Sequence, residues 1–267
     1  MNDYAKSLDL TFSLREPVIR TMIDALQFQA GSRGLDAGCG VGLQAILLAE
    51  AVGAEGHITG LDLAPELLAH AQEIVHTAGL AEQISFRQGD VNALPFEDDT
   101  FDWAWSVDCV GYAPFDPQPA LEELARVVKS GGTVAIAAWS SEQLLPGHPD
   151  LEARLKATTA GLAPFAAGKG PEQHLTRALG RLRVAGLEDT AAFTFAGSAF
   201  APLSSDLRRA LAALIEMRWP GVNSELAPEE WAAYQRFCLP QSPDFILDLP
   251  DYYAFYTYSL FSGKVPG

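Results

Sequence analysis

Cysteine is scarce in this sequence: only Cys39, Cys109 and Cys238 occur among its 267 residues. An odd number of widely spaced cysteines does not form a disulfide framework, and their spacing does not match a zinc site. We therefore expect a reduced, cytoplasmic protein without a bound metal.

Positive charge is also scarce, with 18 Lys and Arg against 34 Asp and Glu, which gives a formal net charge of −16. A field of that sign repels phosphate backbones and anionic lipids. No apolar run approaches the roughly 20 residues needed to cross a bilayer. The first residues also lack the apolar core of a signal peptide. We therefore expect neither nucleic acid nor membrane as a partner, and a small molecule is favoured.

Hydrophobic residues make up 48% of the chain, enough for a sizeable core. Within residues 33–139, five short apolar strands alternate with helical segments, the fifth strand covering 133–139. This alternation indicates βαβ units and a parallel sheet. Two later stretches, 188–200 and 252–265, add two strands. The sequence predicts one α/β domain over residues 1–267, doubly wound around a mostly parallel seven-stranded sheet.

Residues 1–30 precede the first strand and contain a helix. Apolar residues within 16–26 fall on one helical face. We expect this N-terminal segment, including Tyr4 and Arg15, to form a lid over a bound ligand.

Two helical insertions interrupt the α/β alternation after the fifth strand, at residues 141–182 and 201–250. The stretch 140–150 is predicted to be a loop, and the Gly- and Pro-containing stretch 160–171 is predicted to separate two helices. Ligands of doubly wound sheets bind outside the carboxyl ends of the strands. We expect both insertions to lie there as a substrate cover. The arginines of the later insertion are expected to be solvated, with contact of one of them to an anionic substrate as the alternative: Arg208, Arg209, Arg218 and Arg236.

A glycine-rich turn, "LDAGCGVG" at residues 35–42, follows the first strand. Glycines in such a turn allow close approach of a nucleotide. A dinucleotide site would have the spacing G-x-G-x-x-G. Here Gly38 and Gly40 match, but the third glycine falls one position early, at Gly42. A pyrophosphate would also lie near the Asp36 carboxylate and be repelled. An NAD-dependent oxidoreductase is therefore the less favoured alternative.

S-adenosylmethionine suits this turn better, because it has no phosphates and carries an ammonium group. Asp36, at the end of the first strand, can attract that ammonium directly or through water. The helix N-terminus after Gly42 can favour the ligand's carboxylate. The turn therefore predicts S-adenosylmethionine as cofactor.

Other residues near the strand ends complete the predicted cofactor site. Asp62 ends the second strand, where a carboxylate can accept hydrogen bonds from both ribose hydroxyls. Asp90 follows the third strand and is expected to meet the adenine amino group, unless it only forms a turn. Leu63 and Val91 are expected against the adenine faces. Cys39, inside the glycine turn, is expected to contribute a small packing side chain.

Four motifs in order carry a family resemblance: "LDAGCGVG", "GLDLAPELLAHAQ", "GDVNALPFEDDTFDWAWSVDCV" and "ELARVVKSGGTVAIAAW". Over roughly residues 15–140, the chain resembles the Rossmann-like class I S-adenosylmethionine-dependent methyltransferases. The resemblance is to the ubiquinone/menaquinone-biosynthesis branch, also called methyltransferase type 11. It implies an antiparallel last strand. The cofactor residues it implies are Asp36, Gly38, Gly40, Asp62, Asp90 and Ser106.

The chain departs from this family after the fourth strand. Many relatives carry two histidines where this sequence has Gly111 and Tyr112, and often an apolar residue in place of Asp108. We treat Asp108 and Tyr112 as candidate catalytic or substrate-positioning residues, with helix capping and packing as the respective alternatives. His148, in a loop after the fifth strand, is a candidate base or a solvated residue.

These features predict methyl transfer to a small-molecule acceptor. The alternatives are a methyltransferase-fold module that binds cofactor without catalysis, the oxidoreductase considered above, and methylation of a macromolecule, which the acidic charge disfavours. Transfer to oxygen, nitrogen, carbon or sulfur stays open, as does the oligomeric state.

Overall fold

The computed structural model describes residues 3–166 and 170–267. Its strands are β1 (Arg33–Ala37), β2 (His57–Asp62), β3 (Ile84–Gln88), β4 (Phe101–Val107), β5 (Val128–Gln143), β6 (Glu188–Phe200) and β7 (Tyr253–Lys264). Its helices are α1 (Asp3–Leu26), α2 (Leu43–Val52), α3 (Pro65–Thr77), α4 (Pro117–Val127), α5 (Pro149–Lys156), α6 (Thr159–Ala166), α7 (Ala178–Val184), α8 (Ser205–Arg218) and α9 (Pro228–Cys238). The side chain of Tyr4, predicted to lie in the lid, falls outside the described residues.

Within this part of the chain, seven strands form one sheet in the order β3-β2-β1-β4-β5-β7-β6. Strands β1 to β5 pair in parallel, whereas β7 is antiparallel to both β5 and β6. The predicted fold class and the antiparallel last strand are confirmed. The strand order reverses between β1 and β4, and ligands bind at the carboxyl ends of the strands beside such a reversal.

The central strands are buried because helices cover both faces of the sheet. On β4, Trp103 and Trp105 are at most 3% exposed. Helix α4 begins where Asp116 accepts a hydrogen bond from the Gln118 amide, and α3 begins at Pro65. These local signals fix the lengths of the βα units that bring the strand ends to one edge.

Three elements differ in extent from the sequence prediction. Helix α1 begins at Asp3, well before residue 16, because its first turns pack over the strand ends as well as on the core. Strand β5 runs from Val128 to Gln143 and exceeds the predicted 133–139 at both ends, because its start pairs with β4 and its end with β7. Helix α6 (Thr159–Ala166) lies in a Gly- and Pro-containing stretch read as a break between helices.

The connection at 201–250 starts and ends at the carboxyl edge of the sheet. Phe200, at the end of β6, pairs with Tyr253, and Gln143, at the end of β5, pairs with Phe255. From this edge α8 packs against α1. No helix among the described residues has the length and apolarity needed to cross a membrane.

Candidate active site

The glycine turn is held by the end of β2. The amides of Gly38 and Cys39 both donate to the Leu61 carbonyl, at 2.8 and 2.9 Å. Gly38 has φ 82° and Gly42 has φ 76°, in the left-handed region that favours glycine. The turn therefore exposes backbone at the sheet edge and leaves room above it.

Asp62 lies directly beneath this turn. Its Oδ2 accepts a hydrogen bond from the Gly40 amide at 2.8 Å, and its Oδ1 accepts one from the Ala64 amide at 3.0 Å. A carboxylate oxygen has lone pairs for further donors. Asp62 is thus fixed in orientation and can still accept hydrogen bonds from a ligand.

Asp36 is buried at the end of β1, with 1% of its surface exposed. Its Oδ2 has no hydrogen-bond partner in the described part of the chain. Burial, and secondarily the negative charge of Asp62, raises the pKa of the Asp36 carboxyl to about 7. A cation placed beside these two carboxyl groups would offset both the cost of burying the Asp36 charge and its repulsion by Asp62.

A cavity of about 320 Å³, called here the first cavity, opens above the glycine turn. Its lining includes Gly38, Cys39, Gly40, Asp62, Asp108 and Cys109, together with Leu8, Phe12 and Arg15 of α1. The structure therefore brings the predicted turn residues and Asp62 together, with α1 over them.

A second cavity of about 210 Å³ lies on the other side of Asp108. Its lining is Leu8, Thr11, Leu14, Arg15, Asp108, Tyr112, Trp139, Leu214, Met217, Arg218 and Tyr258. The two cavities share Leu8, Arg15 and Asp108. Helices α1 and α8 both contribute walls, so the N-terminal helix and the 201–250 connection lie over the strand ends.

Asp108 stands between the two cavities in a left-handed conformation, with φ 54°. Its Oδ1 accepts a hydrogen bond from the Trp139 amide at 3.0 Å, and its Oδ2 accepts one from the Tyr258 hydroxyl at 2.8 Å. Arg15 Nη1 lies 3.6 Å from the same Oδ2. The Asp108 carboxylate is therefore held in one orientation by partners from three elements.

Tyr112 belongs to a buried polar group in the second cavity. It forms a hydrogen bond with Arg218. Arg218 in turn donates from Nε and Nη2 to Glu142 Oε2, at 2.9 and 2.6 Å. Burial raises the pKa of the Tyr112 hydroxyl, opposed by the Arg218 charge. The expectation that Arg218 is solvated is wrong. This last residue of α8 is only 6% exposed, and the Glu142 carboxylate neutralises its charge.

Ser106 and the nearby thiols support the site. The Ser106 hydroxyl is fully buried, donates to the Ala37 carbonyl at 2.8 Å and accepts from the Val110 amide at 3.2 Å. It therefore fixes the turn after β4 and does not line either cavity. Burial raises the pKa of the Cys109 thiol to about 12 and raises that of Cys39 as well. Both thiols stay neutral at pH 7 and act as small packing groups.

The residues predicted for the adenine end lie outside both cavities. Asp90 is exposed, and its Oδ1 accepts hydrogen bonds from the amide and side chain of Asn92, both at 2.9 Å. Leu63 is 65% exposed, whereas Val91 is buried. Asp90 therefore forms a turn, which was the alternative interpretation of this residue. Its other carboxylate oxygen can still accept a hydrogen bond.

His148 lies away from both cavities. It immediately precedes α5, and its ring stacks on Phe237 of α9 with 3.9 Å between ring centroids. His148 was a candidate base with solvation as the alternative; it lines neither cavity, and its half-buried ring packs on α9. Its placement does not support a role as a base.

Sequence reasoning missed several residues of the second cavity. Trp139 and Tyr258 appeared only as apolar residues of strands, and Glu142 fell in a stretch read as a loop. For Tyr258 a signal existed: β7 runs antiparallel beside β5, so the first half of β7 lies toward the carboxyl edge of the sheet.

The comparisons with known proteins agree with this geometry. A family model described as a methyltransferase domain matches residues 35–132. (+)-O-methylkolavelool synthase of Herpetosiphon aurantiacus is 30% identical over 217 residues, which cover 78% of this chain and 74% of that protein. Demethylmenaquinone methyltransferase of Bacillus cytotoxicus is 40% identical over 109 residues, covering 41% of this chain and 45% of that protein.

The fold also matches solved structures. Phosphoethanolamine N-methyltransferase 2 of Haemonchus contortus, in complex with S-adenosyl-L-methionine, superposes with a TM-score of 0.54 at 18% identity, covering 93% of this chain and 52% of that one. The chain spans between 37% and 46% of the length of four curated relatives. By its sequence and its fold, the chain belongs to the class I S-adenosylmethionine-dependent methyltransferases.

Proposed function

We propose that this protein transfers a methyl group from S-adenosylmethionine to a small, largely apolar acceptor held in the second cavity. The observation that carries the proposal is the shared wall between the two cavities, formed by Leu8, Arg15 and Asp108. A donor in the first cavity and an acceptor in the second would meet at Asp108.

The residues of the first cavity fit S-adenosylmethionine. A Cβ atom on Gly38 would come within 2.5 Å of the Cys109 sulfur, so only glycine leaves the turn open there. Asp62, in the lining, can accept hydrogen bonds from the ribose of the cofactor. Asp36 does not line the cavity, so we propose that its buried carboxyl attracts the ammonium through its charge and not through direct contact. When bound, S-adenosylmethionine supplies a methyl group already activated by a sulfonium, so catalysis requires mainly positioning of the acceptor.

The other predicted cofactor residues are proposed to contact the adenine end of the cofactor or to support the turns around it. Asp90, Leu63 and Val91 are candidates for the adenine end, beyond the lining of the first cavity. Ser106 supports the turn after β4, and Cys39 contributes van der Waals contact.

The lining of the second cavity supports an apolar acceptor. Leu14, Trp139, Leu214 and Met217 supply apolar surface from α1, β5 and α8. Asp108 and the Tyr112 hydroxyl are the groups proposed to orient the reacting atom. Two relatives each align along 78% of this chain: one is named for an O-methyl compound, and the other is a sterol 24-C-methyltransferase. We propose oxygen as the acceptor atom, with carbon as the alternative.

Location and partner class follow from composition. All three cysteines are free in the structure, which supports a reducing compartment such as the cytoplasm. The net charge of −16 supports a small-molecule acceptor over RNA.

The proposal is tested by filling the second cavity. Met217→Trp is expected to lower turnover with a panel of apolar alcohols at least tenfold, while the dissociation constant for S-adenosylhomocysteine changes less than about twofold. Val184→Trp is the matched control, because Val184 is 70% exposed on α7 and lines neither cavity.

Calorimetry with S-adenosylhomocysteine and NAD decides the cofactor. Binding of NAD instead of S-adenosylhomocysteine would end the proposal. Strong cofactor binding without turnover of any acceptor would favour the non-catalytic module.

A further inference from the structure

We propose that the second cavity selects an acceptor without net charge, and that the buried Arg218–Glu142 pair sets this selectivity. The inference rests on the proposed function, because it names the substrate class of the same site. The selectivity follows from the pairing of the charged side chains around the cavity.

Each arginine of the second cavity faces a carboxylate. The side chains of Arg218 and Glu142 are only 7% and 3% exposed, and the guanidinium makes two hydrogen bonds to Glu142 Oε2. Arg15 lies 3.6 Å from Asp108, and these side chains are 12% and 19% exposed. The charges of Arg218 and Glu142 cancel, as do those of Arg15 and Asp108, so these four side chains carry no net charge.

The groups behind this pair are also matched. Lys156 donates to the Glu142 carbonyl, and its Nζ lies 3.0 Å from Glu152 Oε1. Glu152 is itself fully buried and accepts hydrogen bonds from the amides of Leu144 and Leu145. The second layer therefore adds no net charge that a ligand could use.

An ionised acceptor would meet this arrangement at a disadvantage. The rest of the lining is aliphatic, aromatic or hydroxyl-bearing, so a buried ligand charge has no free counter-charge. A carboxylate would have to share Arg218 with Glu142 or displace Glu142. An ammonium would have to displace Arg218 from Glu142 or compete with Arg15 for Asp108. Breaking a buried ion pair leaves one of its charges unmatched. A neutral molecule keeps both pairs intact.

The cavity also offers hydrogen-bonding capacity suited to a neutral oxygen. The indole of Trp139 lines the cavity, is 4% exposed, and its Nε1 has no hydrogen-bond partner in the described part of the chain. The Arg218 guanidinium lies over the same ring, 5.2 Å from its centroid. Because this Nε1 has no surface open to the cavity, a neutral alcohol would instead donate to the hydroxyl oxygens of Thr11, Tyr112 or Tyr258 in the lining, which leaves both ion pairs intact.

Three probes of one shape test this inference: 2-naphthalenemethanol, 2-naphthoate and 2-naphthylmethylammonium. Their affinities are measured by calorimetry on protein saturated with S-adenosylhomocysteine. The wild type is expected to bind the alcohol at least tenfold more tightly than either ion.

Variants that remove one charge of the buried pair should change the order of the three affinities, one variant in favour of the anion and the other in favour of the cation. Glu142→Gln exposes the Arg218 charge and is expected to raise the affinity for naphthoate relative to the alcohol at least tenfold. Arg218→Met exposes Glu142 and is expected to do the same for the ammonium. The double variant should restore the preference for the alcohol. Asp206→Asn, in an exposed pair with Arg209 on α8, removes the same charge outside the cavity and should leave the order unchanged.

Tighter binding of an ion than of the alcohol by the wild type would overturn the inference, as would binding of none of the three probes. An unchanged order in the charge variants would do so too. Near-ultraviolet circular dichroism reports folding, and either single variant alone is decisive if the other does not fold. Failure of S-adenosylhomocysteine to bind would instead contradict the proposed function, and the probe order is then measured on the unliganded protein.

Discussion

The hydroxyl of Tyr258 donates a hydrogen bond to Asp108, with 2.8 Å between Oη and Oδ2. Tyr258 lies on the antiparallel strand β7, and Asp108 follows the parallel strand β4, so the bond crosses over β5 between them. Trp139, on β5, donates its amide to the other carboxylate oxygen. The last strand of the sheet thus orients the carboxylate that separates the two cavities.

Replacing Asp108 with Asn is expected to slow single-turnover methyl transfer about tenfold to a thousandfold, with nearly unchanged affinity for S-adenosylhomocysteine. The amide loses the charge and one acceptor, but asparagine tolerates the positive φ. Tyr258→Phe keeps the charge and removes one donor, so its effect should be smaller. Wild-type rates in both variants would show that the carboxylate takes no part in transfer.

The sequence predicted the sheet because local signals coincide with the tertiary structure in its first half. The glycines at 38, 40 and 42 and the strand ending at Asp62 are local sequence patterns, although the folded turn is held by hydrogen bonds to Leu61 and Asp62. The start of α1 at Asp3 could not be read from apolar periodicity. Its first turns cover a cavity, so apolar residues such as Leu8 and polar ones such as Arg15 share the buried face.

The second cavity was less accessible to sequence reasoning, because its residues are far apart in the chain. Arg218 looks like a solvated helix residue until α8 is placed against β5, where Glu142 neutralises it. Asp108 and Tyr112 were identifiable only from their position after β4. His148 lies close to β5 in sequence, but α9 holds its ring away from the cavities.

Replacing Asp62 with Ala is expected to weaken binding of S-adenosylhomocysteine by about 2–3 kcal/mol, because charge-assisted hydrogen bonds to the ribose are lost. The amides of Gly40 and Ala64 also lose their acceptor, so the turn loosens. Asp62→Asn keeps one acceptor and should give an intermediate loss. Calorimetry on folded variants measures this. A dissociation constant unchanged by Asp62→Ala would remove Asp62 from the cofactor site.

The buried carboxyl of Asp36 should make stability depend on pH. The unfolded chain releases this proton near the ordinary pKa of 3.8, whereas the folded protein holds it to about 7. Between these values the folded state binds more protons, so stability falls as pH rises from about 4 to about 7 and is level above. The total is up to about 4 kcal/mol.

Urea denaturation of the wild type and Asp36→Asn at pH 5 and pH 8 measures this contribution. In the variant, the free energy of unfolding should fall much less between pH 5 and pH 8 than in the wild type. The variant should therefore be more stable than the wild type at pH 8. It should also bind S-adenosylhomocysteine more weakly there, because the ammonium loses its carboxylate. The same pH dependence in both proteins would show that Asp36 titrates normally.

A side chain at Gly38 should destabilise the protein through backbone strain and should also close the first cavity sterically. Gly38→Ala places a Cβ atom 2.5 Å from the Cys109 sulfur, at a residue with φ 82°. Gly221→Ala, between α8 and α9, has a φ of 68° in the left-handed region but open space around the added atom. A left-handed alanine costs about 1–2 kcal/mol, so both variants should lose that much stability. Only Gly38→Ala should also lose cofactor affinity, by at least tenfold in calorimetry, because the turn must shift to admit the methyl group. Equal cofactor affinities in the two variants would mean that the cofactor does not lie against this turn.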